Sequence, residues 1–317
     1  MKKITLVCAM VLASMGAKAQ GFYLDFNAGY GFGMPGNVLG VKSHTDIVEG
    51  VRYNTSSNLM GSIGNGLNLQ LTPGYMITDN IGVELGINYF IGSKTTMAES
   101  EVTLTEASSN LDHAAFSSRK DVANSNQLRI APAVLLSTGA SKQVSGYAKM
   151  GIIMPLMGGT TVNTNALNGT ISNGVITQET VVAKTEVNGA PSFGFRGALG
   201  INYNITDNLS VFGEVFAMSL NVKQKSRKTV SYKLDGQEIV ETLPKYSSSF
   251  DYVDEVTPES NNADAIITGG WAEDHDVAKP KQELFAKTSF SQMGFQFGIK
   301  YTFSKKKIRT ISGTPDF

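Results

Sequence analysis

Between Ile81 and Gly92 the chain alternates strictly. Ile81, Val83, Leu85, Ile87, Tyr89 and Ile91 share one parity, and Gly82, Glu84, Gly86, Asn88 and Gly92 the other. Successive side chains of a strand point to opposite faces, so a period of two predicts a strand with one apolar and one polar face. The last such segment sets Met293, Phe295, Phe297, Ile299, Tyr301 and Phe303 against Gln292, Gly294, Gln296, Gly298, Lys300 and Thr302. The same reading predicts strands near 21–33, 65–78, 125–138, 143–155, 190–206 and 208–222, eight in all.

The gaps between these segments alternate in length. Residues 34–64, 93–124, 156–189 and 223–287 are long, whereas Thr78–Asn80, Gly139–Lys142 and Thr206–Asn208 are short. Every long connection therefore falls on the same side of the strands. A weak internal repeat marks two of the short ones: Ile77-Thr78-Asp79-Asn80 recurs as Ile205-Thr206-Asp207-Asn208, each with a tyrosine two residues upstream, Tyr75 and Tyr203. Asp and Asn tolerate left-handed backbone angles and suit tight turns. Within the last long connection, Thr229–Leu234 and Gln237–Leu243 alternate around Asp235-Gly236, a strong hairpin signal, and Ser172-Asn173-Gly174 offers a similar turn inside Thr170–Val187.

No apolar run reaches 18 residues, so a membrane-spanning form of this chain has to be a barrel of strands. At the start, Lys2 and Lys3, the apolar Ile4–Ala13 and the small residues Ala17 and Ala19 have the order of a secretory signal peptide, predicting export with residues 1–19 removed. The single cysteine, Cys8, leaves with that segment, which excludes disulfides, thiol catalysis and thiolate metal sites from the mature chain. With 27 basic and 27 acidic residues there is no excess positive charge for nucleic acid. Composition, 41% apolar with 33 glycines, excludes general disorder.

These features carry a resemblance. The opening strand Gly21–Gly31, the two Tyr-x-Ile-Thr-Asp-Asn hairpins and the closing Gly294–Phe303 resemble the small outer-membrane β-barrel proteins of Gram-negative bacteria, in the manner of porin-like proteins and the membrane domain of outer membrane protein A. The resemblance implies an all-β, eight-stranded antiparallel up-and-down transmembrane barrel over residues 20–303, with long extracellular loops, a location in the cell outer membrane and contact with its lipid and lipopolysaccharide. It also implies a terminal aromatic that directs assembly. Residues 304–317 form a short periplasmic tail in this reading, leaving both Phe303 and Phe317 as candidates. Tyr30, Phe32, Tyr75, Tyr89, Phe90, Tyr203, Tyr301 and Phe303 lie near strand ends and suit the aromatic girdles.

If the apolar faces meet lipid, the opposite faces place Asp25, Glu84, Arg129, Lys149, Arg196, Glu214 and Lys300 inside. An eight-stranded bore is just wide enough to be filled by side chains, and buried charges are costly unless paired, so a charge network that plugs the lumen is expected. Pro73, Pro132 and Met154-Pro155 interrupt the pattern and put the parity of Arg129 most at risk. The expected function is structural or interactive, through external loops such as 223–287 that could meet another protein or a host surface. Narrow passive permeation is the alternative.

No cofactor and no metal is expected: the acids of Asp251–Val277 are dense, but their spacing matches no calcium loop. Lys223, Lys225, Arg227 and Lys228 could meet lipopolysaccharide phosphates. His44, His113 and His275 each stand beside acids, half of a catalytic dyad, but no serine motif accompanies them, and the reading is non-enzymatic.

Overall fold

The structure is a computed structural model that describes residues 21–48, 51–104, 113–139, 142–172, 175–263 and 275–303. The expected signal peptide, the tail 304–317 and Phe317 lie outside the described residues.

The described residues form seventeen strands rather than eight. In chain order these are β1 (Phe22–Gly33), β2 (Val38–Val48), β3 (Val51–Met60), β4 (Gly66–Met76), β5 (Ile81–Gly92), β6 (Thr95–Leu104), β7 (His113–Ser137), β8 (Val144–Ser172) and β9 (Val175–Gly189). They continue as β10 (Gly194–Asn204), β11 (Leu209–Ser219), β12 (Asn221–Leu234), β13 (Gln237–Glu238), β14 (Ser249–Val253), β15 (Lys281–Leu284), β16 (Lys287–Ser289) and β17 (Gln292–Thr302). Nearly all pairings are antiparallel, β2 with β6 and β14 with β15 being parallel.

Eight of the strands close a ring by hydrogen bonding, in the order β1, β4, β5, β7, β8, β10, β11, β17 and back to β1. These eight stand at the positions that alternation predicts. Closure follows from the first and last strands pairing along their whole length, from Tyr23 with Thr302 to Gly33 with Gln292. A closed ring leaves no unpaired edge to template aggregation.

The ring is inside out relative to a soluble core. Along β5, Ile81, Val83, Leu85, Ile87, Tyr89 and Ile91 are exposed while Gly82, Glu84, Gly86, Asn88 and Phe90 are buried. Phe26, Phe295, Phe297, Ile299, Leu199 and Val215 extend the exposed apolar surface around other strands. So large an apolar belt is a contact surface, not a solvated one.

The tight turns between β4 and β5 and between β10 and β11 share one design. Thr78 Oγ1 accepts from the backbone N–H of Asn80 and Ile81, and Thr206 Oγ1 accepts from those of Asn208 and Leu209. Asn80 and Asn208 each donate their amide to a neighbouring strand, at Ser137 O and Thr302 O. Both repeats read from sequence are thus one turn built twice.

The long connections are largely strand. β7 and β8 run 25 and 29 residues, past the ring, and pair with β6 and β9 beyond it. These extensions, rich in Thr and Asn in β8 and carrying Ser, Arg, Lys and Asp in β7, lack the apolar alternation that marks the lower halves, which is why period alone does not reveal them. The hairpin expected at Asp235-Gly236 forms, with positive φ at both residues, but its second arm is only Gln237–Glu238 before a 3-10 turn at Val240–Thr242. At the other expected turn, Ser172 pairs with Val175.

Candidate functional site

Viewed around the ring, Asp25, Glu84, Lys149 and Glu214 come from alternate strands, β1, β5, β8 and β11, and converge at one level. Lys149 Nζ lies 3.1 Å from Glu84, 3.3 Å from Glu214 and 3.9 Å from Asp25. Arg196 reaches Glu214 at 3.3 Å and also donates to Gln70, and Lys300 lies 3.9 Å from Asp25. Six of the seven residues singled out from parity therefore share one buried ion-pair cluster.

Two tyrosines complete it, and they were not anticipated. Tyr23 donates to Glu84 at 2.8 Å and Tyr147 to Glu214 at 2.9 Å. Each arises from a row across three strands: Tyr23 faces Gly74, which faces Glu84, and Tyr147 faces Gly200, which faces Glu214. The rings lie over the glycines, where a Cβ would come within 2.3 Å of Tyr23 and 2.4 Å of Tyr147. Only glycine permits that approach. Register was the missing information, since each row joins a hairpin to a strand some fifty residues before it.

Arg129 corrects the expected single network. Its parity survives because the register shift falls in β8, between Met157 and Pro155, and leaves β7 regular. It is fully buried and pairs with no carboxylate among the described residues. Its guanidinium stacks 4.1 Å from the Phe90 ring centre and 5.7 Å from that of Phe290, and Nε donates to Gln127 at 2.8 Å. With its amide oxygen turned toward the arginine, Gln292 accepts from Nη1 at 3.1 Å. Phe90 is a second correction: it belongs to the interior, not to an outer girdle.

Above Arg129 an apolar layer fills the bore: Ile63, Phe90, Leu220, Val222 and Phe290 with Ile153 and Met218. Two inward segments meet there. Ile63 N–H and Ser62 Oγ both donate to Ser289 O, Phe290 N–H donates to Leu220 O, and Met34 N–H donates to Ser291 O. Paired backbone groups let these segments be buried without unsatisfied donors.

Beyond that layer the extended strands surround a cavity whose lining includes Leu39, Met97, Val162, Arg227, Phe250 and Tyr252. Burial pushes the Tyr252 phenol above its ordinary value, leaving it a neutral donor. Of the basic group 223–228, Lys223 pairs with Asp254, Lys225 and Lys228 are exposed, and Arg227 turns to the cavity. The histidines do not converge. His44 sits between Asp46 (3.0 Å) and Glu101 (3.4 Å), His275 stacks 4.1 Å from Tyr246, and the side chain of His113 lies outside the described residues. Of the acidic stretch, Asp264, Glu273 and Asp274 are likewise outside them, and no metal-binding group occurs among the described residues.

Residues 4–237 match the outer membrane protein beta-barrel domain model. The chain belongs to the outer membrane protein β-barrel family. It is an outer-membrane β-barrel protein, and its exposed apolar belt is the physical counterpart of that location. Among solved structures, it is similar to the outer membrane protein OprG from Pseudomonas aeruginosa, at 14% identity and a TM-score of 0.36, with 90% of this chain and 98% of that chain covered. It is also similar to Neisserial surface protein A, at 9% identity and a TM-score of 0.33, with 90% and 99% covered. No curated protein sequence matches it.

Proposed function

We propose that the ring is an eight-stranded up-and-down transmembrane barrel with a closed bore, and that the protein is non-enzymatic and acts at the cell surface. The strands and loops beyond the apolar layer are its working part. The connections 77–80, 138–143 and 205–208 and both ends of the ring share one rim, the periplasmic one in this reading, and everything long rises from the other. Lys225 and Lys228 then stand where lipopolysaccharide phosphates lie, and the segment after β12 faces outward to a protein or host partner.

The observation that carries this reading is that the same ring holds Lys149 among three carboxylates and, further along the strands, the Phe90–Arg129–Phe290 stack. Two successive fillings, one ionic and one aromatic, leave no room for hydrated solute. The test is single-channel recording of the refolded protein in planar bilayers, beside the double variant Phe90→Ala/Phe290→Ala. Silence from both is expected, because the variant loses the aromatic filling and keeps the ionic one. Steady conductance from the native protein would replace this reading with narrow passive permeation.

A further inference from the structure

The cavity above the apolar layer measures about 640 Å3, inside the range of roughly 300–1,000 Å3 typical of small-molecule sites. Its lining is mixed. Leu39, Met97, Val162, Val181 and Ala183 are aliphatic, the first three packed directly on the apolar layer. Arg227, Tyr232, Phe250 and Tyr252 add a cation and rings, and hydroxyl side chains such as Ser117 and Thr164 lie among them.

Arg227 reaches this wall by a shift in register. β12 is irregular against β9 between Gln224 and Ser226, so its inward parity moves from Val222 and Gln224 to Arg227 and Thr229. Such bulges re-aim side chains. The guanidinium then lies 3.8 Å from the Phe250 ring centre, which fixes its plane. No carboxylate among the described residues pairs with it. Asp121, the acid in the lining, is occupied by Arg119 at 3.0 Å and by Thr164 at 2.7 Å. The lining thus combines aliphatic and hydroxyl side chains with one uncompensated, pre-oriented cation.

We propose that this cavity is a binding site for a small amphipathic anion, its aliphatic body against Leu39, Met97, Val162 and Val181 and its carboxylate or phosphate on Arg227. A guanidinium offers parallel N–H donors matched to either head group. The inference goes beyond the reading above and does not depend on whether the bore conducts, because the cavity lies on the outer side of the apolar layer.

The experiment is calorimetric titration of the full protein in lipid nanodiscs with decanoate, decyl phosphate and decanol, with protein-free discs as the blank. Saturable binding of one or both anions, at least about tenfold tighter than decanol, is expected from a charge-assisted pair. The better of the two anions identifies the head group. Arg227→Gln should weaken the anion about tenfold and leave decanol unchanged, and Arg227→Lys should recover part of the loss. Ala183→Trp, which intrudes among the aliphatic residues of the lining, should weaken binding of all three and serves if Arg227→Gln does not refold. Heats equal to the blank, equal affinity for anions and decanol, or an unchanged Ala183→Trp would overturn the proposal.

Discussion

Tyr147 donates its hydroxyl proton to Glu214 across 2.9 Å while its ring lies over Gly200. Gly200→Ala puts a methyl where the Tyr147 ring is and should cost about 1–3 kcal/mol through overpacking. Tyr147→Phe, which only removes the donor from a buried carboxylate, should cost a similar ~1–3 kcal/mol. The double variant should be less than additive, since both changes break one hydrogen bond. Urea unfolding in detergent checks all three.

Lys149 is the shared cation of Glu84, Glu214 and Asp25. Lys149→Met should destabilise the barrel by about 3–5 kcal/mol, because three buried carboxylates then lean on Arg196 and Lys300 alone. Unfolding measured by loss of the heat-modifiable band reads this. The double variant that also carries Glu84→Gln should recover part of the stability, since Asp25 then keeps Lys300 and Glu214 keeps Arg196. No recovery would place the cost in lost packing.

The outward face separates a membrane belt from a solvated one. Leu85→Arg, in the middle of β5, should cost about 2–4 kcal/mol in lipid, whereas Tyr301→Arg, near a strand end, should cost ~0–1 kcal/mol. Unfolding in lipid vesicles compares the two. Equal costs would mean that the belt does not sit across the bilayer as drawn.

Outside the barrel, Ser231 Oγ and the Tyr232 N–H hydrogen-bond the Glu238 carboxylate and hold it below the ordinary glutamate value. A depressed carboxyl stabilises the hairpin fully above the unfolded value of about 4.3, and the contribution is lost as pH falls through the lower folded value. Hydrogen exchange at the Tyr232 amide should therefore accelerate as pH is lowered below that range, after correction for the intrinsic rate. Glu238→Gln should abolish the change.

The sequence by itself determined which eight segments form the ring, which face of each looks inward and which charges share that interior. A period of two is a local property, and an apolar face repeated over whole strands has only lipid to meet. It also showed the repeated turn, because Thr, Asp and Asn act on their own backbone within four residues. Tertiary structure decided the rest. Whether Tyr23 reaches Glu84, whether Arg129 finds an acid or two aromatic rings, and whether Phe90 closes the bore all depend on register between strands tens to hundreds of residues apart. Polar extensions such as the upper halves of β7 and β8 are strands because neighbours pair with them, not because their residues alternate. Arg227 faces the cavity through a register shift that a strict alternation would have placed on the other side.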